Sequence, residues 1–331
     1  MKKALVTGAA GFIGSHVVHE LLAKNVAVRA VLRPGEPTLN IDGLDIEIVT
    51  GDILDKAFIK KSMEGIDHVF HLAAIYSIWM EDWKPLWEIN LQGTQNILWA
   101  ALKAEVQRVV YTSSITAIGI LPGNGVANES TPFNQYKSSP YVLSKYLSQK
   151  IALGFAENGL DVVIVNPALP FGPGDRGPTP TGQTILSLIN NGTIKLDGGF
   201  NGVDVRDVAK GHVLAAEKGR TGECYILGNQ NMTLEEFNVL VEKGYGKKLR
   251  KIPIKVKPKT MERMAYMMEW MADNVTHKTP FSTVADAKYI SQCLYVDNSK
   301  AKRELGFAPR DVAVSIRDAI DWFRVNGYIK K

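Results

Sequence analysis

Apolar positions in the first half of the chain concentrate in short runs separated by stretches of helical spacing. The runs are residues 4–7, 26–32, 46–50, 69–73, 109–112 and 162–165. The first reads as a strand buried in a parallel sheet, and the others read as further strands. Between them, residues 15–23, 58–63, 85–104 and 141–157 carry apolar side chains at helical intervals, as Val17, Val18, Leu21 and Leu22 do in the first. Strands alternating with helices predict a parallel doubly wound sheet with helices on both faces. Ligands of such sheets bind beyond the carboxyl ends of the strands, so chemistry is expected in the residues after each run.

Gly8, Gly11 and Gly14 follow the first run at a spacing of three and lead into the first helix. Strand, glycine turn and helix in that order fit a dinucleotide-binding turn. Gly8 permits the bend, Gly11 lets backbone N–H groups approach a pyrophosphate, and Gly14 lets helix pack close to strand. The helix N-terminus adds positive potential for the phosphates. After the second run the chain reads Val31-Leu32-Arg33-Pro34, with no acid for an adenosine ribose. Arg33 either holds a 2′-phosphate with its planar fork or is a surface arginine; the first reading is favoured, giving NADP(H) over a possible NAD(H). Asp52 and Ile53 are placed to meet the adenine edge, and Leu72, Ala73 and Ala74 are small enough for a cofactor to lie against the backbone. His68 and His71 are expected to be structural, and no metal site is expected.

The chain has 331 residues, 45% hydrophobic and 22% charged, with a net charge of +5. That length suits a Rossmann-type α/β domain with a smaller mixed α/β C-terminal substrate lobe. The expected division is 1–170 for the dinucleotide domain, rejoined by 203–228, with 171–202 and 229–331 forming the substrate lobe. The charge is too mild to argue for nucleic acid, though it helps draw in an anionic cofactor. Cys224 and Cys293 have neither metal-ligand nor disulfide spacing, so a reducing, cytoplasmic setting is expected. The apolar run after Lys2-Lys3 is too short for a secretory signal, and no stretch reaches membrane-spanning length.

Thr112-Ser113-Ser114 closes the fifth run, and Tyr141 and Lys145 open a later helix one turn apart, on one face. A nearby ammonium favours phenolate and is expected to lower the Tyr141 pKa toward working pH. Ser114 is expected to donate a hydrogen bond to a substrate oxygen that gains charge during hydride transfer.

With these residues in place, the chain resembles the extended short-chain dehydrogenases/reductases. The resemblance rests on Gly8-Ala-Ala-Gly11-Phe12-Ile13-Gly14, Asp52-Ile53, Leu72-Ala73-Ala74, Asn90-Leu-Gln-Gly93-Thr94, Ser114 and Tyr141…Lys145. It continues through Asn166-Pro167, Gly172-Pro173, Asp204-Val-Arg-Asp207-Val208-Ala209 and Val296-Asp297-Asn298-Ser299-Lys300-Ala301, so it runs nearly end to end. Residues 28–34 and 165–173 are similar to the dihydroflavonol-reductase-like branch; residues 178–182 and the tail from Trp270 are similar to hopanoid-associated sugar epimerases. The resemblance implies that Tyr141 is the acid/base and that Lys145 tunes it and binds the nicotinamide ribose. It implies that Ser114 orients the substrate oxygen, with Ser113 or Thr112 as fallback. Phe12 and Ile13 join the cofactor turn, Pro167 lines the nicotinamide, and Asn90 supports the site. A homodimer through the helices at 85–104 and 141–157 is implied in the same way.

Dehydratases of that superfamily carry an Asp-Glu pair just after the serine, where this chain has Ile115-Thr116. Sugar epimerases place an arginine where Phe200 stands here, which argues for a less charged, more apolar substrate. Tyr76, Trp79, Met80, Trp83 and Phe171 either wall an apolar pocket or pack their loops against the core. Residues 171–202 read as a connecting, lid-like stretch, and 224–227 as a strand returning to the sheet. Thr233 and Glu236 form a capping box, and 313–323 is the last helix. A methionine-rich helix over 261–271, preceded by Lys255, Lys257 and Lys259, reads as core or dimer packing, a substrate cover, or a membrane-surface helix, in that order. The expected function is a ketone or aldehyde reductase working on an apolar molecule. The alternatives are a sugar epimerase using the same tyrosine and a non-catalytic nucleotide sensor.

Overall fold

The computed structural model describes residues 1–77, 79–255, 258–280, 282–290 and 292–329. Its strands are β1 (Lys3–Thr7), β2 (Ala27–Leu32), β3 (Glu47–Thr50), β4 (His68–His71), β5 (Arg108–Thr112), β6 (Val126–Ala127) and β7 (Val162–Pro167). They continue with β8 (Leu169–Phe171), β9 (Thr193–Lys195), β10 (Gly199–Asp204), β11 (Cys224–Leu227), β12 (Gln230–Thr233), β13 (Lys251–Lys255) and β14 (Cys293–Val296). Seven of them form one sheet in the order β11-β7-β5-β4-β1-β2-β3, every neighbouring pair parallel. The order reverses between β1 and β4, which puts the topological switch point beside the glycine turn.

Strand alternation divides the core between the two faces. Ala4 and Val6 of β1, with Val163 and Val165 of β7, face Val17, Leu21, Val208 and Val213 of the helices Phe12–Ala23 and Val205–Lys218. Leu5, Val69, Val109, Val162 and Ile164 face Ile59, Ile97, Leu98 and Ala152 on the opposite side. Fully burying each such side chain contributes roughly 1.5–3 kcal/mol, so an uninterrupted apolar run is what a strand covered on both faces needs.

The strand expected over 69–73 and the helix expected over 85–104 differ from their expected bounds for identifiable reasons. β4 ends at His71 rather than residue 73: the Leu72 amide is shared between the Thr7 carbonyl and hydroxyl, both at 3.2 Å, and the Ala73 amide turns to the hydroxyl at 3.1 Å. The helix expected over 85–104 is three pieces: Lys84–Trp87, a π-turn Glu88–Gly93, and Thr94–Lys103. The Thr94 hydroxyl donates to the Asn90 carbonyl across that turn at 2.7 Å.

The second layer is a mixed sheet, β12-β10-β14-β6, with β8 paired to β10 and only the β10–β12 pair antiparallel. The stretch expected to be a lid-like connection instead contains the helix Pro180–Asn191, capped by Thr179 with proline in its first turn. The Thr233–Glu236 capping box is present. Asp204 caps Val205–Lys218 and clamps Arg206, while Asp207 holds Arg310 at 2.9 Å, so the Asp204…Asp207 motif ties the two layers together.

Candidate active site

The carboxyl ends of β1, β4, β5 and β7 lie along one edge of the large sheet, and the glycine turn closes over the first two. Gly8 adopts φ +68°, and a Cβ there would stand 3.0 Å from the Ala73 nitrogen. A Cβ on Gly14 would collide with the Gly8 carbonyl. The helix Phe12–Ala23 begins at Gly11 with no side-chain cap and no acid in its first turn. Its own side chains therefore leave the positive end for an anion. A cradle that tolerates no Cβ beneath an uncapped helix start fits a pyrophosphate, with Phe12 and Ile13 in the first turn.

Behind that turn runs a buried polar chain. Thr7 Oγ1 meets His71 Nδ1 at 2.8 Å, and His71 Nε2 meets Thr94 Oγ1 at 3.0 Å. Burial, with the Lys145 charge adding to it, pushes the His71 pKa down to about 3. The ring is thus neutral and structural, as expected; His68 is bonded to Asp67 at 2.8 Å. Asn90 takes the Ile75 amide at 2.7 Å, and donates to the Ile75 carbonyl at 3.0 Å and to Ser144 Oγ at 2.9 Å. Ser144 in turn donates to the Tyr141 carbonyl at 2.8 Å. Asn90 therefore fastens the segment after β4 to the helix Pro140–Glu157.

Ser139 caps that helix and Pro140 starts it, which fixes Tyr141 in the first turn. The Tyr141 phenol is pushed up to about 12 by burial, and a hydrogen bond with Ser114 pulls the other way. The lowered tyrosine pKa expected from Lys145 is not what the geometry produces. Lys145 Nζ donates to the Thr112 carbonyl at 2.7 Å and approaches Tyr111 Oη at 3.5 Å. Its pKa falls to about 7, because desolvation disfavours the ammonium. Tyr141 is thus held as a neutral phenol at pH 7.

Among the three hydroxyls at the end of β5, the structure brings Ser114 to Tyr141. Thr112 Oγ1 is taken by His212 Nε2 at 2.9 Å, and Ser113 Oγ is buried with no partner among the described residues. Ser114 caps the short turn Ile115–Ala117, and its carbonyl is held by Asn166 Nδ2 at 2.8 Å. The same Asn166 amide donates to Gln149 at 2.7 Å, and Pro167 is buried next to it in β7.

The remaining expected cofactor residues are more dispersed. Arg33 follows β2 with its side chain 65% exposed, and its backbone amide donates to Glu36 at 2.9 Å. Asp52 is exposed and takes the Leu54 amide at 2.9 Å, while Ile53 is buried against Gly93. Leu72 and Ala73 are half-buried beside the glycine turn and Ala74 is exposed. Sequence reasoning passed over Glu36 and Asn40. Asn40 joins the Ala10 and Gly174 carbonyls at 3.3 and 3.1 Å and accepts from Arg176 at 3.0 Å. No local spacing announces contacts between segments that far apart in the chain.

The aromatic residues divide. Phe171 and Phe200 pack on Phe237 in the core of the smaller layer, with ring centroids 5.3 and 5.0 Å away. Trp79 is buried and donates to Asp273 at 2.8 Å. Tyr76 stays half exposed, directly beside Tyr141. A separate cleft of about 900 Å³ in the smaller layer, lined by Asn124, Lys195, Glu235 and Lys251, shares none of its walls with Tyr141 or Lys145.

A family model described as the NAD dependent epimerase/dehydratase family matches residues 4–228. The chain belongs to that family. Its relatives within the extended short-chain dehydrogenases/reductases include proteins named as reductases and dehydrogenases. A protein of Synechocystis sp. described as a candidate dihydroflavonol 4-reductase is 36% identical, over 98% of this chain and 95% of its own length. Sterol demethylase protein B of Methylococcus capsulatus is 33% identical over 98% of this chain and 99% of its own. The crystal structure of a nucleoside-diphosphate-sugar epimerase from Pseudomonas aeruginosa superposes with a TM-score of 0.81 at 26% identity, covering 99% of both chains. In this family member, then, the glycine cradle, the Ser114–Tyr141 pair and Lys145 occupy one sheet edge.

Proposed function

We propose that this family member is an NADP(H)-preferring oxidoreductase that interconverts a ketone or aldehyde and an alcohol on a relatively apolar small molecule. The observation that carries the reading is the phenol of Tyr141, bonded to Ser114 at the sheet edge beside the glycine cradle and one helical turn from Lys145. A neutral phenol is a proton donor, so it suits the reductive direction. The nicotinamide supplies the hydride to the carbonyl carbon when bound. Tyr141 Oη gives its proton to the carbonyl oxygen, and the Ser114 hydroxyl donates to that oxygen as it gains charge. Lys145, with a pKa near 7, carries enough positive charge around neutrality to steady the phenolate left behind.

The dinucleotide would rest on Gly8, Gly11 and the helix start at Phe12 and Ile13. Gly14 packs beneath, Asp52 and Ile53 lie toward the adenine side, and Leu72, Ala73, Ala74 and Pro167 lie along its path. Arg33, largely exposed at the end of β2, supports a 2′-phosphate and hence NADP(H); Glu36 beside it is the group that competes for the guanidinium. The seven-stranded layer serves as the cofactor domain and the smaller layer as the substrate lobe. The sugar epimerase is the second reading, favoured by likeness to the Pseudomonas aeruginosa structure. Against it stands Phe200, 6% exposed in an apolar core where a phosphate-gripping arginine would be needed. A pure sensor has no use for Ser114, Tyr141 and Lys145 together. The exposed Trp99, edge-on to Phe155 at 5.0 Å, supports a homodimer through its helix and Pro140–Glu157. Two free cysteines support a cytoplasmic setting.

NADPH consumption with a panel of apolar ketones and aldehydes tests the reading. Turnover is expected; tight cofactor binding with no consumption across the panel would favour the sensor.

A further inference from the structure

The methionine-rich helix, Pro258–Met271, is turned the opposite way from a core helix. Ala265 and Ala272 are buried, while Met264, Tyr266, Met267, Trp270 and Met271 are each exposed by 43–67%. At 100° per residue these five fall on one side of the helix, with Lys259 and Arg263, also exposed, at its N-terminal end. Lys278 is exposed after the π-turn Ala272–Thr276 that follows the helix; Lys257 lies outside the described residues. Of the three acids between 258 and 273, Glu262 and Glu269 are half-buried and Asp273, though exposed, is bonded to the neighbouring segment. Glu269 accepts from the Val284 amide at 2.9 Å and Asp273 from Trp79 at 2.8 Å. The outward face is therefore apolar and aromatic with a basic fringe.

We propose that this face rests on an anionic lipid surface. Apolar side chains reach the acyl boundary, Trp270 and Tyr266 suit the headgroup level, and the cations meet lipid phosphates. No helix among the described residues is long and apolar enough to cross a membrane, so the contact is peripheral. The Trp79–Asp273 bond joins this helix region to the segment after β4, which places Tyr76 against Tyr141. A docked face thus lies one hydrogen bond from the segment that borders the reactive phenol. The docking does not depend on which reaction that phenol performs.

Sedimentation with vesicles of phosphatidylcholine mixed equally with phosphatidylglycerol tests it on the full chain. The unaltered protein is expected to co-sediment at low salt, to be released at high salt, and to bind pure phosphatidylcholine far less. The double variant Met267→Glu/Trp270→Glu should lose binding by about tenfold or more. The charge-reversal pair Lys259→Glu/Arg263→Glu, at exposed positions where folding is little at risk, should do likewise. Both should keep the melting temperature and cofactor affinity of the parent. Failure of the unaltered protein to bind the anionic vesicles, or equal binding by both variants, would overturn the proposal. A dimer that Met267→Glu/Trp270→Glu turns into a monomer would also overturn it, by making this face a contact between copies.

Discussion

The Tyr76 ring stands edge-on to the Tyr141 ring, with centroids 4.4 Å apart and planes at 62°. Asn90 sets this relationship, since its amide pins the backbone of Ile75 and, through Ser144, the first turn that carries Tyr141. In the proposed reaction, substrate reaching the phenol would pass the half-exposed Tyr76 ring. Tyr76→Ala is expected to raise KM for apolar carbonyl compounds by about tenfold, the scale of a lost aromatic contact, with a smaller change in kcat. A KM unchanged across a ketone panel would remove Tyr76 from the substrate wall.

Asn90→Ala leaves the Ile75 amide and carbonyl without their partner, and a buried polar group left unsatisfied costs about 1–3 kcal/mol. A fall in melting temperature is expected together with a fall in kcat, because the Tyr76–Tyr141 arrangement loosens. Urea unfolding and steady-state kinetics on one preparation read both effects.

Gly14→Ala puts a methyl group into the Gly8 carbonyl. The turn must shift or strain, at a cost of about 1–3 kcal/mol, and dinucleotide affinity should fall by at least tenfold. Fluorescence titration with NADPH is the check, and Gly154→Ala, where nothing lies within reach of an added Cβ, is the control.

Lys145 gives a pH dependence with a definite sign. Its pKa is near 7 in the folded protein against about 10.4 in an unfolded chain. Between those values the unfolded state holds more protons, so stability contributed at this site rises with pH. The burden of the buried ammonium is fully present below pH 7 and is relieved as pH rises toward 10. Lys145→Met should therefore help stability most, or harm it least, at pH 6, with that relative benefit shrinking by pH 9. Melting temperatures at the two values measure it, and a difference of opposite sign would contradict the assigned titration.

Much of this architecture could be read from residue order. Strands buried on both faces announce themselves as apolar runs, and β1, β2, β5, β7 and β11 lie within about two residues of where those runs put them. Residues 171–202 misled because proline and glycine suggest a loop. Thr179 and Pro180, a cap and a first-turn proline, were the overlooked signals of a helix. The grouping of Ser114, Tyr141 and Lys145 at one sheet edge was legible, because each sits just after a strand or one helical turn from its neighbour. The direction of the Lys145 ammonium was not legible: whether it faces a phenol or the Thr112 carbonyl depends on how the helix lies over β5. Phe200 was legible as a residue but not as a core one, since its neighbours Phe171 and Phe237 come from different elements.

Arg33→Ala should weaken NADPH by about tenfold or more, the scale of a hydrogen bond to a charged group, and leave NADH nearly unchanged. Equal losses for both cofactors would make Arg33 a surface residue and remove the basis for NADP(H) preference.

The most direct measurement follows deuterium from NADPH carrying deuterium at both hydrogen positions of the nicotinamide C4 into an apolar ketone, with the unaltered enzyme and with Tyr141→Phe. One deuterium is expected on the new carbinol carbon for each NADPH consumed, and Tyr141→Phe should slow the transfer by about 10²–10⁴-fold while binding the cofactor nearly as well. Transfer undiminished by Tyr141→Phe, or a sugar inverted with no net NADPH consumed, would contradict a reductase that protonates its substrate through Tyr141.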